Sequence, residues 1–140
     1  MKIVVVENYE KLSSEAARII INQLKKKPDS VLGLATGGTP VGMYENLRKA
    51  YAEGEVSFKD VKTYNLDEYC GIDPKHPQSY HYYMHQNLFD YIDIKPENVH
   101  LPSASENWEN AAKAYNDLLN QTEIDLQVLG IGSNGHIGFN

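Results

Sequence analysis

Val31-Leu32-Gly33-Leu34-Ala35-Thr36-Gly37-Gly38-Thr39-Pro40 passes from an apolar run, through a glycine pair, into the start of a helix. A short continuous apolar run suits a strand buried on both faces. Gly37-Gly38 ends that run, and Thr39 with Pro40 reads as the N-cap and first position of a helix. Val41, Tyr44, Leu47 and Tyr51 then recur at three- or four-residue steps, which draws one apolar stripe along that helix. A buried strand running through a tight glycine loop into a helix is a building unit of parallel sheets.

The same alternation extends in both directions. Further β-branched or apolar runs are Ile3 to Val6, Val61 to Tyr64, Val99 to Leu101 and Ile124 to Leu129. Between them lie helical periods: Leu12, Ala16, Ile20 and Leu24; Tyr80, Met84, Leu88 and Tyr91; Ala111, Tyr115 and Leu118. Ser13 or Ser14 sits early in the first helix, while Ser79 and Ser105 precede the third and fourth and read as their caps. The order β-α-β-α-β-α-β-α-β predicts an α/β fold, a Rossmann-like three-layer sandwich with a mostly parallel sheet, about five strands and four helices, in one domain over residues 1–140. The longest irregular stretch, Asp67 to Gln78, holds Gly71, Pro74 and Pro77 and is expected to be a loop.

Composition bounds the function. The 140 residues carry 13 Lys and Arg against 19 Asp and Glu, a net charge of −6, with 41% hydrophobic side chains. A chain of this length buries about 68–70% of its unfolded surface, enough for a core without disulfide or metal staples. Cys70 is the single cysteine and has no internal partner. No basic cluster extends beyond Lys25 to Lys27, so nucleic acid and anionic membrane surfaces are not expected partners. The run Ile3 to Val6 stops at Glu7, far short of the roughly 18 residues of a spanning helix or the 7 to 15 of a signal-peptide core. A cytoplasmic location is expected.

Ligands of open α/β sheets bind beyond the carboxyl ends of the strands, so chemistry is sought in the loops there. Three stand out. Gly37 and Gly38 let the backbone approach a ligand, and the free amides of the following helical turn favour an anion. Thr36 and Thr39 add hydroxyl donors. No Gly-Lys-Ser/Thr follows, which disfavours a nucleoside triphosphate and leaves a small phosphate ester; a plain short turn with Thr39 as cap fits the same residues. After the third run, Asp67-Glu68 places adjacent acids at the mouth of a cleft, where desolvation raises a carboxylate toward the range of a general base. Neighbours on an extended chain point opposite ways, so one acid is expected to face the ligand, and Asp67 is the choice. Two solvated loop acids are the plainer alternative.

After the fifth run, Gly130, Gly132 and Gly135 spell a G-x-G-x-x-G, yet it follows the last strand and lacks the later acid of a dinucleotide fingerprint. His136 on this loop can move protons near neutral pH. His76, His81, His85 and His100 read as loop or helix-surface residues, and no metal site is expected.

Ala35-Thr36-Gly37-Gly38-Thr39-Pro40, Asn65-Leu66-Asp67-Glu68-Tyr69 with His76-Pro77-Gln78-Ser79-Tyr80 behind it, and Gly130 to Asn140 together resemble glucosamine-6-phosphate deaminases from end to end of the chain. The related 6-phosphogluconolactonases carry, by family pattern, Asp-Glu-Arg in place of Asp67-Glu68-Tyr69 and Asp-Gly-His-Thr in place of Asn134-Gly135-His136-Ile137. The resemblance implies conversion of glucosamine 6-phosphate and water to fructose 6-phosphate and ammonia, without metal or organic cofactor. It implies a phosphate site on Thr36, Gly37, Gly38 and Thr39, with Glu68 and Gly132 also binding substrate. Asp67 becomes the base at C2, and His136 the proton carrier in ring opening. Asn134, an Asp in some members, can orient His136 but cannot hold it as a charged partner. The family motif continues past Phe139-Asn140 with Glu-Pro and members are longer, so these residues are expected to be an N-terminal portion, inactive by themselves, with apolar surface left uncovered beside the last strand. A 6-phosphogluconolactonase-like hydrolase and a non-catalytic sugar-phosphate-binding fragment are the competing readings. A dinucleotide-binding domain is a third and poorer one. The reading admits a homo-oligomer.

Overall fold

The structure, a computed structural model, describes residues 1–140. Four strands and four α-helices follow one another as α1 (Tyr9–Lys26), β1 (Val31–Leu34), α2 (Val41–Ala52), β2 (Lys62–Asn65), α3 (Tyr80–Asn87), β3 (Val99–His100), α4 (Trp108–Leu119) and β4 (Leu126–Gln127). The strands form one parallel sheet in the order β3-β2-β1-β4. The chain steps outward from β1 to β2 and β3, then returns through α4 to the other side of β1. Loops at such a reversal diverge and leave a crevice at the carboxyl end of the sheet. The fold thus sets the crevice between the loops that follow β1 and β4.

Register decides which residues face which helices. Leu32 pairs with Thr63 and Leu126, and Thr63 with Val99, so these four share one face. That face carries the main core, where Leu32 and Leu34 pack with Ala17, Ile20, Ile21 and Leu24 of α1, Met43, Tyr44 and Leu47 of α2, and Met84 of α3. Burying the aliphatic side chains contributes about 1.5–3 kcal/mol each, the main term holding this layer to the sheet. The opposite row, His100, Tyr64, Gly33 and Gln127, faces α4. Here Tyr64 stacks on His100 at 4.5 Å between ring centres, and Tyr115 of α4 donates from its hydroxyl to the Asn65 carbonyl at 2.7 Å. The Gln127 side chain lies across Gly33, where any Cβ would stand 1.9 Å from Oε1.

The expected parallel α/β architecture holds, with several local corrections. Ile3 to Val6 forms no strand, and Ile3 and Val5 are 74% and 89% exposed. The run has strand propensity but pairs with none of the four strands, and propensity without a partner for its amides and carbonyls does not make a strand. Helix α1 is capped by Asn8, whose side chain accepts from the Lys11 amide, rather than by a serine. Its buried stripe is Ser13, Ala17, Ile20, Ile21 and Leu24, which keeps the expected Ile20 and Leu24 but has Ser13 and Ala17 in place of Leu12 and Ala16, and Leu12 is exposed. Asn107 caps α4, while Ser105 supports that cap by accepting from the Asn107 amide. Ser79 caps α3 as expected, accepting from the Tyr82 amide. His81 and His100 are half-buried rather than surface groups, and burial lowers the pKa of both rings.

The fifth expected strand shortens to Leu126–Gln127. Asp125 anchors it, accepting from the Val31 amide and pairing with Lys27 at 2.8 Å, and this pairing lowers the Asp125 pKa. Beyond it, Leu129 and Ile131 are exposed.

Candidate functional site

A cavity of about 270 Å³ opens at the predicted crevice. Its walls are the loop after β1 (Ala35 to Pro40), Leu66 and Asp67 after β2, Tyr80 at the start of α3, and Gly130, Ile131, Gly132, His136 and Gly138 after β4. Of the sequence-predicted residues, Thr36, Gly37, Gly38, Thr39, Asp67, Gly132 and His136 come together here. Glu68 and Asn134 do not line it.

The loop after β1 is shaped by Gly37, whose φ of +93° is a conformation side chains disfavour. Thr39 does not cap α2. Pro40 holds the cap position, and no side chain of its own loop bonds the first turn. That work falls to Tyr9, whose hydroxyl accepts from the Gly42 amide at 3.0 Å. The threonine is therefore left free of the capping bond that its position before a proline suggested. The amides of Thr36, Gly37, Gly38 and Thr39 donate to no acceptor within the protein.

Asp67 follows the buried end of β2, and its pKa is raised. Burial is the larger cause, the charge of Glu68 the second, and the Phe139 amide pulls the other way. A carboxylate so placed is a stronger base than a solvated one. Glu68 points back into the protein. Its Oε1 accepts from the Tyr69 and Tyr80 amides at 2.9 and 3.0 Å, and its Oε2 from the His81 amide at 2.9 Å. These bonds occupy the carboxylate at the start of α3, where free amides and the helix dipole favour negative charge. Glu68 thus ties the loop carrying Asp67 to the helix carrying Tyr80.

His136 sits on a turn closed by Gly135 (φ +85°), with the Gly132 amide donating to the His136 carbonyl at 2.9 Å. Its ring lies so close to Gly132 that a Cβ there would stand 2.2 Å from Cε1, so this glycine makes room for the imidazole. Asn134 Oδ1 lies 2.5 Å from Nδ1. With the amide oxygen as acceptor, Nδ1 carries the proton, and Nε2 is left as the ring's acceptor.

Sequence reasoning missed Tyr80 as a wall of the site, having placed it in the apolar stripe of the third helix. Burial, followed by its hydroxyl contact with Tyr69, pushes its phenol up to about 12, so it remains a neutral hydroxyl beside Asp67. Tyr69, Tyr80 and Phe139 form an aromatic cluster with ring centres 5.0–5.8 Å apart. A tyrosine directly after a capping serine was the signal available in the sequence.

Comparison with known proteins bears on the chain as a whole. Residues 7–138 match the family described as glucosamine-6-phosphate isomerases/6-phosphogluconolactonase. A glucosamine-6-phosphate deaminase of Thermoanaerobacter sp. (strain X514) is 53% identical over all of this chain and 56% of its own length. Glucosamine-6-phosphate deaminase 2 of Bacillus subtilis (strain 168) is 51% identical, with 57% of its length covered. Among solved structures, a monomeric glucosamine-6-phosphate deaminase superposes with a TM-score of 0.96 at 45% identity, over 99% of this chain and 58% of that one. The 6-phosphogluconolactonase of Thermotoga maritima reaches 0.75 at 26% identity, over 95% and 60%. The chain spans little more than half the length of the curated relatives it matches. With the family's pattern matched along nearly all its residues and its cleft loops gathered at one crevice, this chain belongs to the glucosamine-6-phosphate isomerase/6-phosphogluconolactonase family.

Proposed function

We propose that this sequence serves glucosamine-6-phosphate deamination, converting glucosamine 6-phosphate and water to fructose 6-phosphate and ammonia. The observation that carries the reading is that Asp67, with its raised pKa, shares one cavity with the glycine loop and His136. The phosphate lies against the amides and hydroxyls of Thr36 to Thr39. His136, oriented by Asn134, moves the proton of the ring oxygen as the sugar opens. Asp67 takes the C2 proton of the open chain and returns it to C1; the C2 imine so formed adds water and releases ammonia. These proton transfers call for no metal or organic cofactor. Identities of 45–53% to deaminases, against 26% to the lactonase, support the deaminase over the lactonase reading. The enzyme would be a cytoplasmic hydrolase of amino-sugar catabolism, acting in N-acetylglucosamine utilisation; no helix is long and apolar enough to cross a membrane.

The test is release of ammonia together with fructose 6-phosphate from glucosamine 6-phosphate by the protein at its natural length. 6-Phosphogluconolactone is assayed in parallel. Hydrolysis of the lactone without deamination would overturn the reading.

A further inference from the structure

Three tyrosine hydroxyls converge on the carbonyls of the loop after β1. Tyr44 donates to the Ala35 carbonyl at 2.5 Å, Tyr83 to the Gly37 carbonyl at 2.6 Å, and Tyr9 to the Thr39 carbonyl at 2.9 Å, with the Gly38 carbonyl 3.2 Å from the same hydroxyl. They come from three helices, α2, α3 and α1. None of the three lines the cavity, although every residue from Ala35 to Pro40 does. The hydroxyls therefore hold the loop from behind.

A trans peptide is planar, with its N–H opposed to its C=O. Drawing the carbonyls of Ala35, Gly37 and Gly38 toward the tyrosines turns the amides of Thr36, Gly38 and Thr39 the other way. Those amides lack an acceptor in the protein. A glycine pair by itself is the least restrained backbone available, so an anion site built on one needs its conformation held by something else. Burial raises the pKa of Tyr44 and of Tyr83, so both remain neutral donors.

We propose that Tyr9 and Tyr83, with Tyr44 beneath them, are positioning residues that preorganise the loop amides for the phosphate of the substrate. The inference rests on the functional reading above and extends it to residues that touch no substrate. It is tested with Tyr9→Phe and Tyr83→Phe, which delete one hydroxyl and keep the ring. Tyr44 is fully buried and is left unaltered. Titration calorimetry on the protein at its natural length measures affinity for inorganic phosphate and glucosamine, and for glucosamine 6-phosphate in an Asp67→Asn background where turnover does not obscure binding. Each variant should bind the two phosphate-bearing ligands about 3- to 10-fold more weakly, the range of one lost hydrogen bond, with glucosamine unchanged. In steady state, KM for glucosamine 6-phosphate should rise with kcat nearly retained. Unchanged phosphate affinity in both variants, or an equal loss for all three ligands, would overturn the proposal, the second pattern marking a general structural role. If the unaltered protein itself failed to prefer glucosamine 6-phosphate over glucosamine, the functional reading would fall, and the inference with it.

Discussion

Replacing Glu68 by alanine tests how the candidate base is held. In the structure one carboxylate collects the amides of Tyr69, Tyr80 and His81, and Ser79 serves the next two donors of α3 through its hydroxyl and carbonyl. A hydrogen bond to a charged acceptor is worth about 1.5–3 kcal/mol. Glu68 is half-buried, so water reaches part of what the mutation uncovers, and the Tyr69 amide lies on an exposed residue that rehydrates easily. Counting the two α3 amides near the low end of the range, Glu68→Ala should cost about 2–4 kcal/mol. Urea unfolding followed by circular dichroism reads this as a lower midpoint at unchanged slope, and a thermal scan as a Tm lower by roughly 6–12 °C. Glu68→Gln keeps one acceptor oxygen and should lose about half as much. The same pair probes the charge, because Glu68 helps to raise the Asp67 pKa. Glu68→Gln should shift the acid limb of kcat/KM to lower pH, since Asp67 then ionises more readily. A loss below about 0.5 kcal/mol in Glu68→Ala would refute the anchoring role. An unmoved acid limb in Glu68→Gln would remove the electrostatic one.

Asp67→Asn should lower turnover about 10²- to 10⁴-fold with binding of glucosamine 6-phosphate little changed; near-normal turnover would take Asp67 out of the proposed step. Gly42→Ala should destabilise by about 1–3 kcal/mol in chemical denaturation, because its Cβ would stand 2.3 Å from Ser13 Oγ and 3.1 Å from Tyr9 Cε1, and it should weaken phosphate binding by shifting Tyr9. Asp125→Asn should lower stability at neutral pH. The Asp125 pKa is depressed by Lys27 and then by the Val31 amide, so its contribution is present above the ordinary carboxylate range and fades as pH falls through the folded value. The urea midpoints of the two proteins should therefore converge in acid, and a gap that persists there would contradict the assignment.

Much of the architecture follows from local pattern. Val31–Leu34 is a strand where its continuous apolar run ends at Ala35, and Ser79 starts α3, because burial on both faces and helix capping are settled within a few neighbouring residues. The cleft loops were legible for the same reason: glycines, adjacent acids and a histidine after strand runs mark the carboxyl ends of a parallel sheet. Partners distant in sequence decided the rest. Ile3 to Val6 has the composition of a strand and none of the pairing, since a ladder requires another strand brought alongside, which propensity cannot supply. Thr39 lost the capping bond to Tyr9, whose hydroxyl meets the Gly42 amide across a separation of 33 residues. Glu68 reaches His81 across 13 residues, and Tyr83 reaches Gly37 across 46. Periodicity shows which way a side chain leans within its own element. Only the packing of α1, α2 and α3 around the loop after β1 determines which backbone groups that side chain meets, and so that Tyr9, Tyr44 and Tyr83 hold that loop while Glu68 braces the start of α3.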